Sequence, residues 1–153
     1  MKKKIYIKKA LPMLCAVALG SALASCSLET DDAGNLGGMW HMVSVDTLAT
    51  GGVKDVSAEG RFWSVQGKIL EVSTRSAALT EYIIFRYEHN GDSLRLYDCR
   101  LNDREKSDSV VTDVEKLRPY GINNTQERFY IDALNGGKMT LKSGRLRLNF
   151  KKF

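Results

Sequence analysis

From Gly38 onward, apolar and polar residues alternate with a period close to two, which is typical of β-strands. The first predicted strand covers 39–46, with Trp40, Met42 and Ser44 on one face and Val43 and Val45 on the other. Over 61–73 the parity of the apolar positions changes at Gly67. We therefore predict one long strand with a β-bulge at that glycine, preceded by a Gly- and Asp-bearing connection over 48–60.

The segments 80–88 and 93–99 flank an Asn-Gly pair, which is the strongest short-range signal of a hairpin. After a charged loop over 101–109, the sequence Thr-Asp-Val-Glu at 112–115 forms a capping box and predicts a short helix over 113–118, ended by Pro119. Three further strands are predicted over 127–134, 138–142 and 145–151. Seven or eight antiparallel strands with one short helix near the C-terminal third predict an all-β protein, a closed or nearly closed barrel, with a sandwich as the alternative.

The first 25 residues have the composition of an export signal. Five lysines and no acid are followed by an apolar run over 10–24, which is shorter than the roughly 20 residues needed to cross a bilayer. Leu23-Ala24-Ser25-Cys26 is similar to the lipobox of bacterial lipoproteins, whose cysteine is acylated before cleavage. We therefore predict a signal peptide over 1–25, lipid attachment to a bilayer at Cys26, a flexible linker over 26–37 and a barrel domain over 38–153.

The residues after Cys26 bear on localisation. Ser27 in place of aspartate implies, for this class of lipoprotein, transport to the outer membrane. The acidic residues Glu29, Asp31 and Asp32 resemble a surface-export signal, and they are equally typical of a solvated linker. The sequence therefore does not decide between the periplasmic face and the cell-surface face of the outer membrane.

Charge and cysteine content narrow the class of protein further. The net charge of +5 comes entirely from the leader, because without its five lysines the chain has 18 basic and 18 acidic residues. A neutral chain has no global attraction to phosphate backbones, so a nucleic-acid partner is not expected. Once Cys26 is acylated, Cys99 has no partner for a disulfide, and on a strand with apolar neighbours we expect an inert, half-buried thiol.

The sequence contains no pattern that indicates catalysis or a cofactor. His41 and His89 are far apart and have no neighbouring ligands at metal spacing, so we expect no metal site. A Gly-x-Ser-x-Gly elbow, a phosphate-binding glycine loop and a local Cys–His signature are also missing. We therefore predict that the protein is not an enzyme and has no catalytic residues.

A family resemblance rests on Gly38-Met39-Trp40 of the first strand and on four segments of the tail, 117–122, 127–129, 138–143 and 148–153. Over about residues 36–153 the chain resembles the lipocalin-like lipoproteins of gut Gram-negative anaerobes. The resemblance implies a lipocalin-like barrel in which Trp40 closes one end. It also implies a cation–π contact of the Trp40 indole with Arg145 or Arg147.

The leading functional hypothesis is an outer-membrane lipoprotein whose barrel binds or presents a small hydrophobic molecule. The candidate lining residues are large and apolar: Trp63, Phe85, Leu96, Phe129 and Met139. In the alternative, these side chains fill the barrel, and its outer surface binds a protein partner in an envelope complex. Thr47 and Ser109 lie in Asp-Ser/Thr-apolar triplets similar to O-glycosylation sites of exported proteins in such bacteria, although turns also favour Asp-Ser.

Overall fold

The computed structural model of the protein describes residues 33–75, 81–103 and 108–153. The predicted signal peptide over 1–25, Cys26 and the first part of the linker over 26–37 lie outside the described residues. The same holds for the middle of the predicted loop over 101–109.

The described residues form ten strands and four short 3-10 turns. The strands are β1 (Gly38–Thr47), β2 (Gly52–Asp55), β3 (Arg61–Gln66), β4 (Ile69–Thr74), β5 (Tyr82–Asn90), β6 (Ser93–Leu101), β7 (Ser109–Val110), β8 (Glu127–Leu134), β9 (Lys138–Lys142) and β10 (Leu146–Lys152). The 3-10 turns cover Gly34–Leu36, Ser57–Glu59, Val114–Lys116 and Arg118–Tyr120.

Eight of the strands close into an antiparallel ring. Their order around it is β1-β3-β4-β5-β6-β8-β9-β10, and β10 pairs back onto β1. The two remaining strands are short: β2 pairs with β1, and β7 pairs with β6. The predicted all-β barrel is therefore confirmed, and because the sheet is continuous and closed, the sandwich alternative does not apply.

The core lies inside the ring and is built from alternate residues of each strand. In β10, Leu148 and Phe150 are buried, whereas Asn149 and Lys151 face outward. Burial of one such large apolar side chain contributes roughly 1.5–3 kcal/mol. The alternation of hydrophobic residues therefore both defines the strands and supplies their main stabilisation.

The prediction of one long strand over 61–73 is wrong. Gln66 pairs with Ile69, so Gly67 and Lys68 form a two-residue hairpin turn between β3 and β4, with Gly67 at φ +55°. Across this hairpin Trp63 faces Val72. In a two-residue hairpin, each odd-numbered residue of one strand faces an even-numbered residue of the other. The buried positions therefore change from odd to even numbers at the turn, just as they would at a bulge.

Strand β1 contains a bulge that its sequence does not signal. Its register with β10 shifts between Met42 and Ser44, so Trp40 and Met42 face the core while Ser44 turns outward. The Oγ atom of Ser44 accepts a hydrogen bond from Asn149 Nδ2 at 3.0 Å. The prediction that Ser44 shares a face with Trp40 and Met42 is therefore wrong, because a bulge inserts one extra residue and reverses the alternation.

The segment over 48–60, predicted as a connection, contains β2 and a 3-10 turn. All four residues of β2 are exposed, so the strand has no buried face and no alternation to mark it.

The predicted short helix over 113–118 is present as two consecutive 3-10 turns. The side chain of Asp113, rather than that of Thr112, provides the cap, since an Asp113 carboxylate oxygen accepts from Glu115 N at 3.0 Å. Pro119 is the second residue of the second turn and cannot donate a backbone hydrogen bond, so an α-helix does not continue through it.

These turns belong to a segment that covers one end of the barrel, and we call residues 111–122 the cap. Its buried side chains are Val111, Leu117, Tyr120 and Ile122. Arg61 Nη1 donates to the Pro119 carbonyl at 2.6 Å, and the Tyr120 hydroxyl lies 2.9 Å from Thr74 Oγ1. Both contacts are at the end of the barrel where β1 finishes, which we call the cap end. The opposite end, where β1 begins, is the Gly38 end.

Candidate functional site

Trp40 is buried near the Gly38 end of the barrel, and its cationic partner is not the one expected. The indole Nε1 of Trp40 donates to the Leu36 carbonyl at 2.8 Å, and both residues are fully buried. The Nζ atom of Lys152 lies 4.9 Å from the centroid of the Trp40 ring system. The prediction of Arg145 or Arg147 over Trp40 is therefore corrected to Lys152.

The antiparallel pairing of β1 and β10 explains this correction. The beginning of β1 faces the end of β10, so Trp40 pairs with Lys152 and Asp46 pairs with Arg147. Arg145 precedes β10, and its carbonyl accepts from Leu48 N at 2.9 Å at the cap end. Both arginines are therefore at the far end of the strand from Trp40.

The five predicted lining residues, Trp63, Phe85, Leu96, Phe129 and Met139, all belong to the buried core. The rings of Trp63 and Phe129 meet edge to face, with centroids 5.7 Å apart and planes at 74°. Their strands, β3 and β8, lie on opposite sides of the ring, with three strands between them in either direction. Side chains therefore fill the full width of the barrel at this level.

One polar atom inside the barrel has no partner. The indole Nε1 of Trp63 is buried and makes no hydrogen bond to any described residue. An unsatisfied buried donor costs about 1–3 kcal/mol relative to one that is bonded. This atom would favour any ligand that brought a hydrogen-bond acceptor to it.

A cavity of about 490 Å³ lies at the cap end. The residues around it are mostly polar and come from the cap, the loop before β8 with the first residue of β8, and the turn between β9 and β10: Arg118, Asn123, Asn124, Glu127, Ser143, Gly144 and Arg145. Its volume falls within the usual range of about 300–1,000 Å³ for small-molecule pockets. Sequence analysis did not identify this site, because its residues lie in three separate segments and share no motif.

Glu127 orders the loop that forms one wall of this cavity. Its carboxylate accepts hydrogen bonds from the backbone N–H groups of Asn123 and Asn124, the second at 3.3 Å. The Asn123 side-chain amide donates to its other oxygen at 3.4 Å. Both carboxylate oxygens of Glu127 are therefore engaged within the protein, and the wall is fixed before any ligand arrives.

The cations of this cavity differ in their availability. Arg118 Nη2 lies 3.1 Å from Glu115 Oε1. The exposed guanidinium of Arg145 makes no ion pair or hydrogen bond among the described residues. Ser143 Oγ accepts from Leu146 N at 3.2 Å and keeps its own proton free to donate. Arg145 and Ser143 therefore offer donors to a ligand with oxygen acceptors.

Cys99 lies in a different environment from these groups. It is only 4% exposed, and burial together with the neighbouring Asp98 carboxylate raises the pKa of its thiol to about 12, from an ordinary value of 9.0. The thiolate is the reactive form of cysteine, so Cys99 is inert at neutral pH.

We therefore expect Ellman's reagent to leave Cys99 unmodified in the folded protein at pH 8 and to titrate it as one additional thiol after denaturation. Since the thiol loses its proton more readily in the unfolded chain, its contribution to stability is present below pH 9 and declines as the pH rises from 9 towards 12. Rapid modification of Cys99 in the native protein at pH 8 would contradict this assignment.

The remaining candidates of the sequence analysis occupy surface positions. Thr47 at the end of β1 and Ser109 in β7 are exposed, so their glycosylation stays a prediction. His41 stacks on Phe62, and His89 Nε2 lies 3.0 Å from the Gly91 carbonyl oxygen. Within 33–75, 81–103 and 108–153, no three metal-ligating side chains come together, and no helix is long and apolar enough to cross a membrane.

Comparison with known proteins gives matches of two kinds. A family model described as a lipocalin-like domain matches residues 21–153. The fold is similar to the crystal structure of a lipocalin-like protein from Bacteroides uniformis ATCC 8492, with a TM-score of 0.61 and 17% identity, covering 78% of this chain and 100% of the other. An uncharacterized protein from Bacteroides eggerthii DSM 20697 gives a TM-score of 0.60 and 17% identity over 76% and 98% of the two chains. No curated protein matches.

Proposed function

Because the chain belongs to the lipocalin-like domain family, we propose that it is a non-enzymatic binding protein of the cell envelope that takes a small polar molecule at the cap end of its barrel. The observation that supports this proposal is the polar cavity of about 490 Å³ beside the unpaired guanidinium of Arg145. The Trp63–Phe129 contact argues against a site along the barrel axis, since it occupies the interior.

The donors of this cavity favour a ligand that carries a carboxylate. A guanidinium can bind both oxygens of a carboxylate through two parallel hydrogen bonds, and the hydroxyl of Ser143 can supply a further donor. Glu127 does not compete for these donors, because its oxygens already accept from the loop before β8. The ligand we propose is therefore more polar than the hydrophobic molecule predicted from the family resemblance.

The binding test compares small carboxylic acids with their primary amides by calorimetry on the wild-type protein and two variants. Hydrogen bonds to charged groups contribute about 1.5–3 kcal/mol, so R145A should weaken binding of an acid at least tenfold. R145K should bind with intermediate affinity, because lysine cannot form the bidentate pair. R86A, which removes an exposed arginine near Asp98, is the matched control. Equal binding of amides, or unchanged binding by R145A, would exclude this ligand class.

We further propose that the protein is held in the outer membrane by acyl chains on Cys26. The support for this anchor is the lipobox-like sequence before Cys26 and the lysine-rich leader. Each buried methylene contributes about 0.8 kcal/mol, and several acyl chains give a durable attachment. Intact mass of the native protein should equal a chain beginning at Cys26 plus diacylglycerol and a fatty acid. A native chain that begins at Met1 would refute the anchor.

A hydrophobic ligand inside the barrel is the second candidate, and the unpaired Nε1 of Trp63 favours it. Such a ligand would have to displace the cap, whose side chains Leu117 and Ile122 are fully buried. If this candidate is correct, organic extraction of the native protein should release a stoichiometric apolar compound that W63F no longer retains. An envelope protein partner stays a prediction.

A further inference from the structure

The outer surface of the barrel near the Gly38 end carries adjacent cations. Lys151 on β10 pairs with Lys138 on β9 and, on its other side, with His41 on β1. Lysines directly opposite each other on neighbouring strands repel and reduce stability. The pairing of Lys138 with Lys151 is therefore not expected to stabilise the isolated fold.

Aromatic rings lie beside these cations. The guanidinium of Arg75 lies 4.9 Å from the Phe62 ring centroid and 5.0 Å from that of Phe153. Phe62 in turn stacks on His41, with centroids 4.9 Å apart. The C-terminal Phe153 is 71% exposed, so a large apolar ring is presented to the surroundings at the edge of a basic region. We call Lys138, Lys151, Arg75, Phe62 and Phe153 together the basic face.

The cations of this face form no close ion pairs with other described residues. None of the ion pairs among the described residues includes Lys138, Lys151 or Arg75. Asp132 on the neighbouring strand β8 accepts a hydrogen bond from Lys142 at 2.9 Å, and its pKa is lowered by this bond and by the charges of Lys142, Arg147 and Lys138. The charge of Lys138 is therefore partly offset by Asp132, whereas Lys151 and Arg75 have no ion-pair partner within the described part of the chain.

We propose that the basic face docks on the anionic lipid headgroups of the membrane that carries the anchor; this inference rests on the proposed acylation of Cys26. Gly38 begins β1 only twelve residues after Cys26, and a chain of that length spans at most about 40 Å. Phe153 N donates to the Met39 carbonyl at 2.9 Å, so the C-terminal residues lie at this same end. The tether therefore keeps the basic face at high effective concentration near lipid.

An anionic lipid surface matches both the positive charge of the basic face and the exposed ring of Phe153. Each lysine that reaches an anionic membrane surface strengthens attachment about fivefold, and an exposed phenylalanine can insert at the headgroup boundary. Neutralising Lys138 and Lys151 should therefore lower the ratio of docked to undocked barrels about 25-fold. Because exposed charges are screened within about 10 Å at 0.1 M ionic strength, high salt should also release the docked barrel.

The test uses the native acylated protein with F153C labelled by an environment-sensitive dye; Cys99 is buried and does not compete for the label. In vesicles of phosphatidylcholine mixed with phosphatidylglycerol, the emission of this dye should shift to the blue, and it should not shift in pure phosphatidylcholine. The same dye on N124C, at the cap end, should not respond to either lipid. The paired substitutions K138Q and K151Q should abolish most of the shift, whereas K54Q with K116Q, an equal change in charge elsewhere, should leave it intact.

Equal emission in neutral and anionic vesicles, or an undiminished shift in the K138Q and K151Q variant, would overturn the docking proposal. The mass of the native chain tests the anchor separately. If Cys26 carries no lipid, the same anionic vesicles are sedimented with the unacylated protein. Cosedimentation that depends on Lys138 and Lys151 would support docking without an anchor, and its absence would refute docking.

Discussion

Replacing Trp63 with alanine is expected to lower the free energy of unfolding by about 3–5 kcal/mol, which is a large part of the roughly 5–15 kcal/mol typical of a domain. The indole contacts Phe129 across the barrel at 5.7 Å and Phe150 at 5.1 Å between ring centroids. Its removal leaves a void between β3 and β8. Neither strand can move to close this void, because each is hydrogen-bonded to a neighbouring strand on both sides. Urea unfolding at equilibrium measures the change directly.

A double-mutant cycle with F129A tests whether the loss arises from the contact across the barrel. Aromatic pairs contribute about 0.5–1.5 kcal/mol beyond burial, so the two substitutions should cost less together than the sum of each alone. W63F and W40F provide a matched comparison, since they remove the same atoms. W40F also breaks the hydrogen bond to Leu36 and should cost about 1 kcal/mol more. If W63A cost less than 1 kcal/mol, the interior would not be filled, and the hydrophobic ligand would become the leading proposal.

The sequence predicted most ring strands because each has one buried and one solvated face. In β10 the alternation of Leu146, Leu148 and Phe150 with polar residues was sufficient, as was the Asn-Gly pair for the hairpin between β5 and β6. Where that asymmetry is missing, as in the fully exposed β2, no pattern was available. The change of parity at Gly67 was visible, but a hairpin and a bulge produce the same change, and only the pairing of Gln66 with Ile69 separates them.

The site was harder to predict than the fold, because it depends on which segments meet when the ring closes. Lys152 rather than Arg147 lies over Trp40 because the register between the first and last strands is a property of the closed barrel. Likewise, nothing local in the sequence brings Arg145 next to Asn124. The five apolar residues predicted for the interior are buried as expected. Burial alone does not show whether these side chains line an open cavity or fill the barrel. The ring distance between Trp63 and Phe129 provides that distinction.

The cap connects the filled interior to the proposed ligand site. Its buried residues Leu117 and Ile122 belong to the core, while its exposed Arg118 lines the cavity. A change that displaces the cap should therefore alter both the stability of the protein and ligand binding. A change confined to an exposed residue of the cavity should alter ligand binding alone. A substitution inside the cap that acts through packing distinguishes these two cases.

Gly121→Ala is such a substitution, and it should lower the free energy of unfolding by about 2–5 kcal/mol. Gly121 has φ +76°, where a side chain costs roughly 1–2 kcal/mol, and an added Cβ would overlap the Leu148 side chain. Leu148 is fully buried and cannot move aside freely, so overpacking adds about 1–3 kcal/mol. Gly91→Ala is the matched control, since Gly91 also has a positive φ but no atom within 4 Å of an added Cβ.

The comparison separates backbone strain from the overlap with the core. G91A should cost only about 1 kcal/mol, and the excess cost of G121A should shrink when Leu148→Ala is added to relieve the overlap. Faster hydrogen exchange in G121A, confined to residues 111–122, would locate the disturbance in the cap. Equal costs for G121A and G91A would instead mean that the cap does not press on the barrel. The cap could then move without disturbing the core, and the argument that it keeps the interior closed to ligands would fail.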